Sequence, residues 1–271
     1  MTRLVRDLMT PGVMTCAPNT SLGKVAKLLA ERRVHALFVV DRGGKPLGVI
    51  TDFDLLAGEW LSEDAESLLV MRGLTAAEMM SSPVATIEAS EQANEAACRM
   101  LNEQIRRLLV TEKGRPVGVI SVSDFIHEVA KSWPVGRDTV SDVMSDCYLV
   151  CRDKTPIRAA ANAMEATGWR SVVVVSATGK PLGIFSGLDL LGFDCEKTFP
   201  DDMLVTDVMH PALSIAMDAS LHEAAQMMIE NHHHRLLVLD PGDPDALPLG
   251  VISSYDIVVE MARPGSVWQQ V

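Results

Sequence analysis

The stretch Gly48-Val49-Ile50-Thr51-Asp52-Phe53-Asp54 decides how this chain is read, because it recurs. Its pattern, Gly-apolar-apolar-(Ser/Thr)-x-x-Asp, returns at Gly118 to Asp124, Gly183 to Asp189 and Gly250 to Asp256. The closing Asp residues are spaced by 70, 65 and 67 positions. A second tag, small or polar–acidic–apolar–Met, precedes each: Arg6-Asp7-Leu8-Met9, Ala77-Glu78-Met79-Met80, Ser141-Asp142-Val143-Met144 and Thr206-Asp207-Val208-Met209. Two tags in fixed order, four times, mean four copies of one unit.

Between the tags the copies agree again. Asn19/Thr20, Ser90, Thr155 and Ser220 stand where helix N-caps belong, with Pro156 at a first helical position. Apolar stripes follow at steps of four and three: Leu22, Ala26, Leu29; Ala93, Ala97, Met100; Ile157, Ala161, Met164; Leu221, Ala225, Met228. Strands are predicted at Leu37–Val40, Leu108–Val110, Val172–Val175 and Leu236–Leu239, each followed by a glycine-bearing turn. Pro46, Pro116, Pro181 and Pro248 then open a second strand of a hairpin. A last helix starts at the (Ser/Thr)-x-x-Asp tag. Each unit thus reads β-α-β-β-α, an α/β (α+β) class. The repeats are placed at 1–61, 76–132, 137–193 and 204–263, with 62–75 and 194–204 as linkers and the best boundary at 131–136.

Composition narrows the function. The chain has 271 residues, 24 Lys+Arg against 36 Asp+Glu, and a formal charge of −12. Such an acidic surface repels phosphate backbones, which argues against nucleic acid as a partner. No run reaches the ~18 apolar residues of a membrane span, and no signal peptide is visible. Five irregularly spaced cysteines fit reduced, buried thiols in a cytoplasmic protein. The (Ser/Thr)-x-x-Asp spacing suits a capping box, which needs no ligand. It equally suits a carboxylate and a hydroxyl gathered at one helix start, and both roles can share one residue set. Nine residues after the shared Ala of each stripe stands a basic residue: His35, Arg106, Arg170 and His234, with Arg107 and Arg235 directly after two of them. Cations repeated in an acidic chain point to an anion; capping of the preceding helix C-terminus is the alternative.

Other signals are weaker. His232-His233-His234 do not share one direction, and His222-Glu223 lacks the second His of a zincin motif, so no metal site is expected. Gly179-Lys180-Pro181 is a turn and no P-loop. Cys147 and Cys151 are expected to pack in a strand, and Trp60, Trp133 and Trp268 to cover packing seams. No catalytic constellation emerges, so an enzyme is not expected.

The four ordered tag sets resemble the CBS (cystathionine-beta-synthase-type) domain, in four copies along the chain. The resemblance implies that copies pair into Bateman modules, here 1–134 and 135–271, which form a flat disc as a monomer or a homodimer. It implies an adenosine-containing ligand: AMP, ADP or ATP, or S-adenosylmethionine. By resemblance Asp54, Asp124, Asp189 and Asp256 take the ribose hydroxyls. Thr51, Ser121, Ser186 and Ser253, with His35, Arg106, Arg107, Arg170, His234 and Arg235, take the phosphate. Val34, Ala36, Ile105, Trp169 and Ser171 flank the base. The expected role is regulatory energy sensing, with a change in repeat orientation read by a protein partner. A ligand-free interaction scaffold is the other reading.

Overall fold

The computed structural model describes residues 3–32, 34–59, 65–132, 139–187, 189, 202–243 and 245–264. The segment leading into copy 1 holds α1 (Val5–Leu8) and β1 (Thr10–Pro11). Copy 1 then has β2 (Thr15–Cys16), α2 (Leu22–Arg32), β3 (Ala36–Val40), β4 (Pro46–Thr51) and α3 (Asp52–Glu59). The expected linker 62–75 contains α4 (Ala65–Gly73). Copy 2 runs α5 (Ala76–Met79), β5 (Thr86–Glu88), α6 (Ala93–Asn102), β6 (Arg107–Glu112), β7 (Arg115–Ser121) and α7 (Val122–Ser132). Copy 3 has α8 (Val140–Val143), β8 (Leu149–Arg152), α9 (Ile157–Thr167), β9 (Ser171–Val175) and β10 (Pro181–Ser186). A 3-10 turn (Val205–Asp207) opens copy 4, followed by β11 (His210–Pro211), β12 (Ser214–Ala216), α10 (Leu221–Glu230), β13 (Arg235–Leu239), β14 (Gly250–Ser253) and α11 (Ser254–Ala262).

The chain divides into two units, and the division is not by halves. One unit holds 1–13, 85–147 and 213–271, hence copies 2 and 4; the other holds 14–84 and 148–212, hence copies 1 and 3. In each copy a parallel strand pair is closed by an antiparallel hairpin, as in β5-β6-β7 and β8-β9-β10. In the unit of copies 2 and 4, α7 packs on α10 and α6 on α11. Phe125, Val129, Ala225, Met228 and Val258 join in one continuous core there. Burial of the Phe, Val and Met side chains among them stabilises the fold by roughly 1.5–3 kcal/mol each. The apolar stripes are buried as predicted, except that Ala161 is half-buried and Ala160, one position earlier, fills the inner place.

The tag before each copy does not pack on its own copy. The α1 segment belongs to the unit of copy 2, where β1 pairs antiparallel with β7. The α5 segment returns to copy 1, where Ser81 bridges Val49. Copies 3 and 4 make the same exchange: Ser145 bridges Val251, and β11 pairs with β10. The residue opening each short turn, Val5, Ala76, Val140 or Val205, is fully buried in the host copy. Asp7, Glu78, Asp142 and Asp207 accept from the backbone N–H three residues earlier at 2.7–3.0 Å, which explains the tag's acid. The Thr75 and Thr139 bonds hold the Glu78 and Asp142 carboxyls below their ordinary values. Arg3 adds an ion pair to buried Glu128 at 2.6 Å.

The exchange also explains why the predicted N-caps were misplaced. Among the four, only Ser220 caps, its hydroxyl accepting from the Glu223 N–H at 3.1 Å. At the start of α6 the N–H of Ala93 donates to the Arg3 carbonyl, and the Val5 N–H donates back to Glu91. Leu22 and Ala76 repeat this with Leu74 and Thr20, as do Ile157 and Val205 with Met203 and Thr155. Backbone carbonyls of the exchanged segment satisfy the orphan donors, so Gln92 and Pro156 can occupy N-cap positions without a side-chain cap.

The glycine that opens each closing tag now has a physical reason. A Cβ on Gly118 would lie 2.6 Å from the Thr10 carbonyl and 2.9 Å from the Met9 sulfur. On Gly250 it would lie 2.6 Å from the Ser145 carbonyl and 3.1 Å from the Met144 sulfur. Gly48 and Gly183 meet Met80 and Met209 in the same way. The Met of one tag seats on the Gly of the other, across copies.

Other expectations need correction. Cys147 is exposed, while Cys16 is buried and Cys98 and Cys151 are half-buried. Cys195 and the three seam tryptophans lie outside the described residues. Pro116 and Pro248 do not open their strands, which start at Arg115 and Gly250.

Candidate functional site

In copies 1, 2 and 4 the closing tag sits where a hairpin strand runs into a helix. The Ser or Thr ends the strand, and the Asp three residues on turns back over the helix start. Thr51 donates its N–H and its hydroxyl to Asp54 Oδ2, both at 2.7 Å. Ser121 does the same to Asp124 and Ser253 to Asp256, again all at 2.7 Å. Ser186 reaches Asp189 at 2.6 and 3.0 Å. The bonds of a capping box are therefore present in all four copies, and they use one carboxylate oxygen.

The second oxygen differs from copy to copy. Asp124 Oδ1 accepts from the Thr10 hydroxyl at 2.8 Å, and Asp256 Oδ1 from the Ser145 hydroxyl at 3.5 Å. Asp189 Oδ1 pairs with His210 Nδ1. No hydrogen bond among the described residues falls on Oδ1 of Asp54. Thr10, Ser145 and His210 were missed in the sequence. They follow the tag methionine, and the exchange that delivers them to another copy leaves no trace in local spacing.

The repeated cations meet the same helix starts through the sheet. Arg107 pairs with Ser121 across the hairpin, and Arg235 with Ser253. Ala36 faces Thr51 and Ser171 faces Ser186 in the same register. The carbonyls of His35, Arg106 and His234 accept the N–H of the residue after the tag hydroxyl, at 3.2, 3.1 and 3.0 Å. The basic residue is thus held one step beyond the strand pair. His35 turns to its own copy, with Nδ1 3.0 Å from Asp52 Oδ2. Arg106 and Arg170 cross to another copy. The Arg106 guanidinium lies 5.0 Å from the Tyr255 ring centre in copy 4, and Arg170 lies 4.5 Å from the Phe53 ring centre in copy 1. These aromatics stand inside the tag, one residue before its Asp.

Charge converges most clearly at Asp256. Burial pushes its carboxyl above the ordinary value, and the Ser253 bonds and the charges of Arg235 and Arg106 oppose that rise. Of the base-contact candidates, Val34 and Ile105 are half-buried against core, Ala36 and Ser171 are buried, and Trp169 is exposed. Among the described residues no group of His, Cys, Asp or Glu could hold a metal ion, and no helix is long and apolar enough to cross a membrane.

The CBS domain family model matches residues 5–59, 76–131, 140–195 and 205–263. The chain belongs to the CBS domain family. Its four CBS copies make up most of its length. Protein MJ1404 of Methanocaldococcus jannaschii is 26% identical over 243 residues, which are 83% of this chain and 55% of that one. Protein MK0525 of Methanopyrus kandleri is 29% identical over 124 residues, 45% of this chain and 61% of the relative. The chain therefore spans little more than half the length of these relatives. Among solved structures, protein MJ1225 of M. jannaschii superposes with a TM-score of 0.83 at 20% identity, covering 96% of this chain and 100% of that one. A conserved protein from Pyrococcus horikoshii gives 0.67 at 22% identity, covering 94% and 98%. Both share the tandem CBS fold.

Proposed function

We propose that this chain is a regulatory sensor, not an enzyme, and that it binds adenosine-type ligands at its tag helix starts. The ligand class comes from the family resemblance. The observation that carries the site is geometric: Arg106 of copy 2 lies over Tyr255, the residue before the half-buried Asp256, and Arg235 pairs across the hairpin with Ser253, which caps with that same Asp. In a chain of charge −12, two arginines brought to the neighbours of one carboxylate suit a ligand with both hydroxyls and an anion. Asp54, Asp124 and Asp256 take the ribose hydroxyls, each carboxylate having lone pairs left after capping. The hydroxyls of Thr51, Ser121 and Ser253 and the basic residues Arg106, Arg107, Arg170, His234 and Arg235 take the phosphate of AMP, ADP or ATP. His35, already paired with Asp52, contributes once that contact is exchanged. Copies 1 and 2 form one Bateman module and copies 3 and 4 the other, a pairing the tag exchange supports. Ligand binding then biases the arrangement that a protein partner reads.

A double charge reversal, R106E/R235E, tests the site. AMP affinity should fall by about 10- to 100-fold, the worth of one charged hydrogen bond of about 1.5–3 kcal/mol. S-adenosylmethionine, whose sulfonium is cationic, should lose nothing. Unchanged AMP binding in this variant would reject the phosphate role, and a loss shared by both ligands would point to a structural one.

A further inference from the structure

Copy 3 departs from its siblings at the carboxylate itself. The residue after each tag methionine is Thr10, Ser81, Ser145 or His210. The exchange puts a small hydroxyl on Asp124 and near Asp256, but an imidazole on Asp189. Thr10 and Ser145 each make one bond to the carboxylate, and a hydroxyl swings aside by rotating one torsion. Asp189 is held from both ends. Ser186 occupies Oδ2 with its N–H and its hydroxyl, and His210 Nδ1 occupies Oδ1. The Asp189 side chain is only 4% exposed, against 31% for His210, so the ring stands on the outward side of the carboxylate. β11 fixes that position, since His210 pairs with Ile184 across the sheet. A sugar diol would have to displace a ring clamped by backbone pairing and by a carboxylate–imidazole contact. That cost is absent in the other three copies.

We infer that His210 is a specificity-determining residue: it withholds Asp189 from sugar diols, so copy 3 does not take the adenosine-type ligand of its siblings. This rests on the ligand reading proposed above. Calorimetric titration of the full chain with AMP, and in a second series with S-adenosylmethionine, tests it. Asp189→Ala in the natural chain should leave stoichiometry unchanged, whereas Asp54→Ala should remove a site. His210→Thr, which copies the Thr10 arrangement, should add one site, and Asp189→Ala on that background should abolish the gain. His210→Ser serves if the Thr variant melts early. Loss of a site on Asp189→Ala alone, or no added site in either His210 variant, overturns the inference while leaving ligand binding elsewhere intact. Absence of binding of both ligands to the natural chain and to every variant overturns the inference and the reading beneath it together.

Discussion

Asp256 is the residue at which capping, burial and charge meet. Its Oδ2 caps α11, and the half-buried carboxylate also feels the charges of Arg235 and Arg106. Because burial raises its folded-state pKa above the ordinary value, the ionised form is the costly one in the fold. The cost is absent well below the ordinary carboxylate pKa and grows as pH rises through the raised value. Asp256→Asn removes that titration. Its stability relative to the natural chain should therefore improve from acid to neutral pH in denaturant melts; a constant difference would show that burial does not set this titration. The carboxylates and cations were legible in the sequence because each recurs in its own column. Their partners were not. Nothing in the string links Arg106 to Tyr255 or His35 to Asp52, since those contacts are made by folding and not by spacing.

At the scale of elements, the hairpins and apolar helix stripes follow from periodicity; the first hairpin strands begin one residue before their predicted starts, whereas the second strand of copy 4 begins two residues after Pro248. The caps did not follow, because the donors at α2, α6 and α9 are met by carbonyls from a distant segment. A side-chain rule cannot see a backbone partner 46, 52 or 90 residues away. The Met-on-Gly contact makes a sharp prediction. Gly118→Ala should destabilise the chain by about 1–3 kcal/mol, the usual cost of overpacking, read as a lowered denaturation midpoint. Met9→Ala combined with Gly118→Ala should recover part of that loss, because the added methyl gains room on the sulfur side. Full additivity of the two changes would mean that they do not share a contact.

For the molecule as a whole, ligand binding should register as stability. A thermal-shift panel with AMP, ADP, ATP and S-adenosylmethionine should raise the melting temperature for at least one, with ligand at 100 times its Kd adding about 2.7 kcal/mol. No shift with any of the four would favour an interaction scaffold. The fragments 1–134 and 135–271 each retain complete tag exchanges, yet copies 2 and 4 share one continuous core between them. Produced together, the fragments should associate, as seen by light scattering; independent monomers would show that this core is dispensable.

The swap of leading segments also constrains how such a chain can grow or shrink. Deleting copy 1 with its leader would take Val5 and Met9 away from copy 2, leaving a hole in a neighbour that was otherwise untouched. A lone additional copy would arrive with its own docking groove empty. Gain or loss by twos avoids both penalties, so the arithmetic of duplication in this architecture favours even numbers.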